Sequence, residues 1–154
     1  MIYKREKMQC TVAIKSGIDD VFPLLCPERE RDWLPGWDYE MVHSNSGLIE
    51  LGCIFKSFAE GKTIDWICTT HNKIDHKIYF IQSFNTDILG ELGLSLSVID
   101  DKTTKMEIIQ TRTALNEEGN KLVEEHSEKD MAEFWNKAGK MIEYYLENGK
   151  MIGA

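Results

Sequence analysis

The stretch SEKDMAEFWNKAGKMIEYYLENG, from Ser127 to Gly149, decides how the rest of the chain must be arranged. Ser127 is a helix-capping residue with Asp130 three positions on, so a hydroxyl can accept from an orphan amide while the acidic first turn suits the positive helix end. Met131, Phe134, Trp135, Ala138, Ile142, Tyr145 and Leu146 recur at steps of three and four, an apolar stripe along one side of a helix roughly 33 Å long. Gly149 supplies the stop. A one-sided helix of this length needs a broad apolar surface against it, and most of the preceding chain reads as strands able to provide one.

The chain has 154 residues, a length that predicts one domain over 1–154 with a core burying about two-thirds of the unfolded surface. A net charge of -8 argues against nucleic acid, whose affinity comes largely from Lys and Arg neutralising phosphates, and against an anionic membrane surface. No apolar run approaches the length of a membrane span, and the charged start MIYKREKMQC lacks the apolar core of a signal peptide. These features place the chain in the cytoplasm. Cys10, Cys26, Cys53 and Cys68 are widely spaced, without a CxxC or a Cys/His pair at zinc spacing, and are expected to be free, mostly buried thiols. Neither a metal nor a cofactor is expected.

Upstream of the long helix, Met8 to Lys15 alternates weakly and is rich in β-branched residues, which predicts a first strand. Ile18, Val21, Phe22 and Leu25 then adopt helical spacing, with Pro23 tolerable if the helix begins near Asp20. Glu28 to Trp33 forms a second short, charged helix ended by Pro35 and Gly36. From Tyr39 the period becomes two, interrupted at Ser44–Gly47, Ala59–Lys62, Asn72–Asp75, Asn85–Asp87 and Asp100–Thr103. Six further strands fit between these breaks, and turns this short imply antiparallel pairing. Asn116 to Glu125 reads as a polar connection or a helical turn leading into the final helix.

This order, with CPERERDWLPGW at Cys26–Trp37, SNSGLIELGCIFKS at Ser44–Ser57, WICTTHN at Trp66–Asn72 and TALNEEG at Thr113–Gly119, resembles the START-like or SRPBCC superfamily. These are the Bet v 1-like helix-grip proteins, among them polyketide cyclases, plant pathogenesis-related allergens and lipid-transfer domains. The resemblance implies an α+β helix-grip fold: a curved seven-stranded antiparallel sheet wrapped around the long C-terminal helix, with two short helices after the first strand and a cavity between sheet and helix. It does not single out a function, because the superfamily holds binders, carriers, enzymes and chaperone activators.

Strand parity then supplies the inward-facing side chains. The expected cavity lining is Phe55, Trp66, Cys68, Phe80, Gln82, Phe84, Leu94, Leu96, Ile108, Gln110 and Arg112 from the strands, with Met131, Ala138, Ile142 and Tyr145 from the helix. Phe134, Trp135 and Leu146 are expected to pack directly on the sheet or the short helices. Gly139 beside Ala138 suggests that the helix backbone leaves room for a neighbouring element or a ligand, since a mid-helix glycine costs about 1 kcal/mol against alanine. Arg112 has two readings. It meets a ligand carboxylate, phosphate or phenolate beside Gln110 and Gln82, or it sits at the strand end, reaching solvent or pairing with Glu128 or Glu124; the second is the favoured expectation.

Trp33 and Trp37 are read as core plugs in preference to a lid, and Glu28, Arg29, Glu30 and Arg31 as a solvated face. His43, His71, His76 and His126 all fall near turns or helix starts and are read as surface positions, so no acid–base constellation emerges. The expected partner is a small hydrophobic or amphipathic molecule, whether lipid-like, polyketide-like or aromatic, held by a monomer or homodimer. A cyclase or dehydratase-like enzyme and a chaperone-activator-like interaction domain are the alternatives.

Overall fold

The computed structural model describes residues 2–154. Seven strands form one sheet in the order β1-β7-β6-β5-β4-β3-β2, antiparallel throughout. They are β1 (Arg5–Ile14), β2 (Tyr39–His43), β3 (Ile54–Ala59), β4 (Lys62–Asn72), β5 (Lys77–Phe84), β6 (Ile88–Asp100) and β7 (Thr103–Ala114). Between β1 and β2 lie α1 (Ile18–Val21), which runs into a 3-10 turn (Phe22–Leu24), and α2 (Pro27–Trp33). After β7 come α3 (Glu117–Glu125) and α4 (Glu128–Asn148). The α+β architecture, with its antiparallel sheet, short helices and long final helix, is the one the sequence predicts.

Alternation produces the layering. Along β7, Met106, Ile108 and Gln110 are buried while their neighbours turn outward, as the pleat requires. Bulges between Cys68 and Thr70 and between Val98 and Asp100 locally increase bend and twist. The predicted cap of α4 is complete: the Ser127 hydroxyl accepts from the Asp130 amide at 3.1 Å and the Asp130 carboxylate accepts from the Ser127 amide at 3.1 Å. Gly149 ends the helix at φ 69°, where a side chain would be strained.

Three local expectations are corrected. The first helix begins at Ile18, and Pro23 falls in the 3-10 turn, where a short run makes no use of its missing amide. Leu48–Cys53 precedes β3 and does not extend it: Glu50 draws the loop together by accepting from the Ser46 amide at 2.7 Å and the Ser44 hydroxyl at 3.0 Å. The Asn116–Glu125 connection contains a helix of nine residues, started by the Asn116 side chain accepting from the Gly119 amide at 2.8 Å. All four cysteines are free, and Cys26, Cys53 and Cys68 are buried. Among the described residues, no helix is long and apolar enough to cross a membrane.

The position of α4 over the sheet sets the position of the open space. Its second half closes on β1, where a Cβ on Gly139 would stand 2.9 Å from Val12 Cγ1 and 3.4 Å from Ile14 Cγ1. Glycine is therefore used for close approach, and the room it makes is taken by Val12. The first half of α4 faces α2 and the middle of the sheet across a cleft.

Candidate functional site

The cleft has a volume of about 430 Å³, within the usual range of small-molecule sites. Its floor is aromatic. Phe55 stacks on Trp66 at 5.2 Å between ring centroids, and Phe80 meets both edge-on at 5.9 and 5.2 Å. The Trp66 indole donates to the Ser57 hydroxyl at 2.9 Å, so the ring presents apolar surface with its one polar group satisfied. On the α2 side, the Trp33 indole donates to the Leu24 carbonyl and the Trp37 indole to the Pro27 carbonyl, each at 2.9 Å. These bonds fix both tryptophans as walls. Trp33 is buried, as a plug would be, and Trp37 is half-buried at the rim. Phe134 and Trp135 close the α4 side, edge to face at 5.2 Å.

One group of polar side chains enters this apolar setting from the strands. The strand register aligns Trp66, Gln82, Gly90 and Arg112 in one row across β4, β5, β6 and β7, and Gln110 lies in the next row toward the sheet centre. Gly90 keeps its place in the row empty: a Cβ there would come within 2.8 Å of Phe84 Cε2 and 3.0 Å of Gln82 Oε1. The guanidinium of Arg112 lies over the Phe84 ring at 4.6 Å from its centroid. His126, in the link between α3 and α4, lines the same cleft.

Within this group hydrogen bonding is incomplete. Gln82 Oε1, Arg112 Nε and His126 Nε2 are buried with no protein partner among the described residues, although buried polar atoms are otherwise almost always paired. Among the described residues no ion pair includes Arg112; Glu124 pairs with Lys4, and Glu128 accepts from the Gln9 amide. Burial alone lowers the guanidinium to about 10. Burial, and then the charge of Arg112, hold the His126 imidazole below its ordinary value. The pairing of Arg112 with Glu124 or Glu128 is thus corrected: both carboxylates are engaged elsewhere, and parity turns the half-buried Arg112 toward the cleft.

Glu30 stands on the α2 wall of the same cleft. No hydrogen bond or ion pair engages its carboxyl among the described residues, and burial pushes it up to about 8. Of the four residues expected as a solvated charged face, Arg31 is exposed and Glu28 and Arg29 are half-buried in surface ion pairs, whereas Glu30 borders the cleft. Its signal was present in the sequence. Glu30 precedes Trp33 and Leu34 by three and four residues, so the carboxyl shares the inward side of α2.

Of the histidines read as surface positions, His43 is exposed and the other three are half-buried. His126 faces the cleft, while His71 stacks on Phe22 at 5.7 Å and His76 meets the same ring edge-on at 5.1 Å. Of the expected lining, Phe55, Trp66, Phe80, Gln82, Leu94, Gln110, Arg112 and Met131 border the cleft. Cys68, Leu96, Ile108, Ala138 and Ile142 do not: they are buried core, lying where α4 or the short helices close on the sheet. Phe84 acts from beneath Arg112, and Tyr145 lies toward Arg29 at the α2–α4 seam. Phe134, expected to pack on the sheet or the short helices, is instead 49% exposed at the cleft rim. Wall residues outside that expectation include Leu25, Glu30, Trp37, Leu92, His126 and Trp135.

No protein-family profile and no curated protein matches the sequence. Solved structures do. The Zhui aromatase/cyclase from Streptomyces sp. R1128 superposes with a TM-score of 0.73 at 12% identity, covering 97% of this chain and 100% of that one. This is the helix-grip fold. Norcoclaurine synthase from Thalictrum flavum shares it with a TM-score of 0.69 at 13% identity over 97% of this chain and 99% of that chain, and was also solved in complex with dopamine and hydroxybenzaldehyde. Ara h 8.0201 follows with a TM-score of 0.65 at 15% identity, covering 94% and 100% of the two chains. DynU16, from the dynemicin biosynthetic locus, matches with a TM-score of 0.62 at 16% identity; the chain covers 48% of its length, so it spans about half of that protein. The helix-grip architecture accounts for the grip of sheet on α4, and the polar group is built from this chain's own residues.

Proposed function

We propose that the protein binds an amphipathic small molecule with an acidic head, lipid-like, polyketide-like or aromatic, in the cleft between sheet and α4, as a cytoplasmic carrier, sensor or store. The observation that carries this reading is the convergence of Gln82 Oε1, Arg112 Nε and His126 Nε2, all without protein partners, in one aromatic cleft. A guanidinium held largely out of water without a partner is costly to keep, and a ligand anion offsets that cost by charge-assisted hydrogen bonding. The ring surfaces of Phe55, Trp66 and Phe80 suit the apolar body of such a ligand. The net charge of -8 supports a small-molecule partner over nucleic acid.

Calorimetric titration with biphenyl-4-carboxylate and its neutral isostere biphenyl-4-carboxamide tests the reading. The expected result is binding of the carboxylate at least tenfold tighter than of the amide, with the advantage lost in Arg112→Met. Equal affinity for the two compounds in the unsubstituted protein would remove the anion-anchor reading. A cyclase or dehydratase-like activity is the second reading. It is favoured by Glu30, a carboxyl tuned toward neutral pH inside a ligand-sized cleft, as proton transfer requires.

A further inference from the structure

The cleft has a second polar pole on the wall contributed by α2. Glu30 sits there among Trp33, Leu34, Trp37 and Trp135, all lining the same space as Arg112. The other charged groups of α2 are engaged with one another or with β2: Arg29 donates to Asp32 at 2.9 Å, Arg31 lies 3.7 Å from Glu28, and Glu28 accepts from the Tyr39 hydroxyl. From α4, Tyr145 lies toward Arg29. The titratable groups sharing the cleft with Glu30 are Arg112 on β7 and His126 before α4, and neither is paired with it.

We infer that Glu30, as a protonated carboxyl, donates a hydrogen bond to an uncharged oxygen at the far end of the ligand, so that the site selects amphipathic aromatic acids carrying a distal carbonyl or ether oxygen. This inference rests on the anion-anchor reading above and extends it to the ligand's other end. Beside Glu30 the cleft offers no other titratable donor, and the indole N–H groups of Trp33 and Trp37 are already bound to backbone carbonyls. An unbonded carboxyl on an apolar wall retains its proton, because burial disfavours the charged form. The direction found for Glu30 agrees. A protonated carboxyl is a donor, whereas its ionised form is an acceptor only. A ligand lacking the distal oxygen leaves that donor unmet, and sites built around a buried polar group reject such analogues.

The experiment is a matched-probe titration of the full chain with 4′-acetylbiphenyl-4-carboxylate and biphenyl-4-carboxylate, at pH 6.5 and pH 9. At pH 6.5 the acetyl probe should bind five- to tenfold tighter than the plain probe, and at pH 9 this preference should fall below twofold as Glu30 ionises. Glu30→Gln, whose amide still donates, should keep the preference at both pH values; Glu30→Leu should abolish it at both. Because each comparison is a ratio within one variant, a general loss of stability does not mimic the effect. Tight binding of the plain probe with no advantage for the acetyl probe, or a preference that survives in Glu30→Leu, overturns the inference and leaves the anion anchor standing. Failure of both probes in the unsubstituted protein overturns the anchor, and the inference with it.

Discussion

Replacing Arg112 with methionine should make the ligand-free protein more stable while removing its affinity for acids. The guanidinium is most of the way out of water and no carboxylate compensates it, which lowers it to about 10. At about 1.36 kcal/mol per pH unit, holding the charge in the fold costs on the order of 3 kcal/mol. The contact with Phe84 at 4.6 Å returns about 1–2 kcal/mol of that. Methionine occupies a similar volume without charge and adapts to irregular space, so Arg112→Met should gain roughly 1–2 kcal/mol, or roughly 3–6 °C in Tm for a domain of this size. The sign follows from linkage: a base whose folded value is depressed is penalised while charged, so the penalty is complete at neutral pH and fades only as pH rises past about 10. Urea denaturation at pH 7 reads the stability, and calorimetry with biphenyl-4-carboxylate reads the binding. Loss of the Arg112 charge should also let the His126 imidazole rise toward its ordinary value, visible by NMR titration. A variant destabilised by more than about 1 kcal/mol would refute the reasoning, because Arg112 would then be a structural residue with compensation from the fold itself.

Three further predictions use other parts of the molecule. Glu30→Gln should match the unsubstituted protein in stability near pH 4.5 and exceed it by a few kcal/mol above pH 8, because a carboxyl raised to about 8 loses its folding advantage across that window; denaturant midpoints at pH 4.5, 7 and 9 measure this. Gly90→Ala should weaken binding of biphenyl-4-carboxylate several-fold, since the new Cβ meets Phe84 and Gln82 at 3.0 Å or less and displaces the ring beneath Arg112; an unchanged affinity in calorimetry would contradict this. Gly139→Ala would ordinarily stabilise a helix by about 1 kcal/mol, but the contact with Val12 should turn the change into a net loss of about 1 kcal/mol, relieved in the double variant with Val12→Ala. Equilibrium unfolding of the four corners of that cycle gives the coupling, and full stabilisation by Gly139→Ala alone would show that α4 is not seated tightly on β1.

The sequence was most informative where a period or a cap is strictly local. Ser127 and Asp130 specify the start of α4 with no outside help, and the alternation along β7 turns Gln110 and Arg112 to the inner face whatever lies above it. The split of α4 into a packed half and an open half was not legible from the stripe. It depends on how closely the helix approaches β1, and Gly139 allows an approach that only the positions of Val12 and Ile14 reveal. For the same reason Ala138 and Ile142 look like cavity residues in sequence and are core in space. Glu30 was hidden by its neighbours, since a run of alternating acids and bases reads as solvated surface, although its spacing to Trp33 and Leu34 placed it with the apolar side of α2. His126 carries no periodic signal, being the last residue before a cap, and only the packing of the α3–α4 link brings it to Arg112.

The central claim is that the buried guanidinium of Arg112 receives the acidic head of a ligand, and it can be read at that group itself. In 1H–15N spectra, the Arg112 side-chain resonances, assigned by their absence in Arg112→Met, should shift on addition of biphenyl-4-carboxylate with the same concentration dependence as backbone amides of Trp66 and Met131 on the cleft wall. Movement of those amides with the Arg112 resonances unmoved would place the acid elsewhere in the cleft and contradict the account.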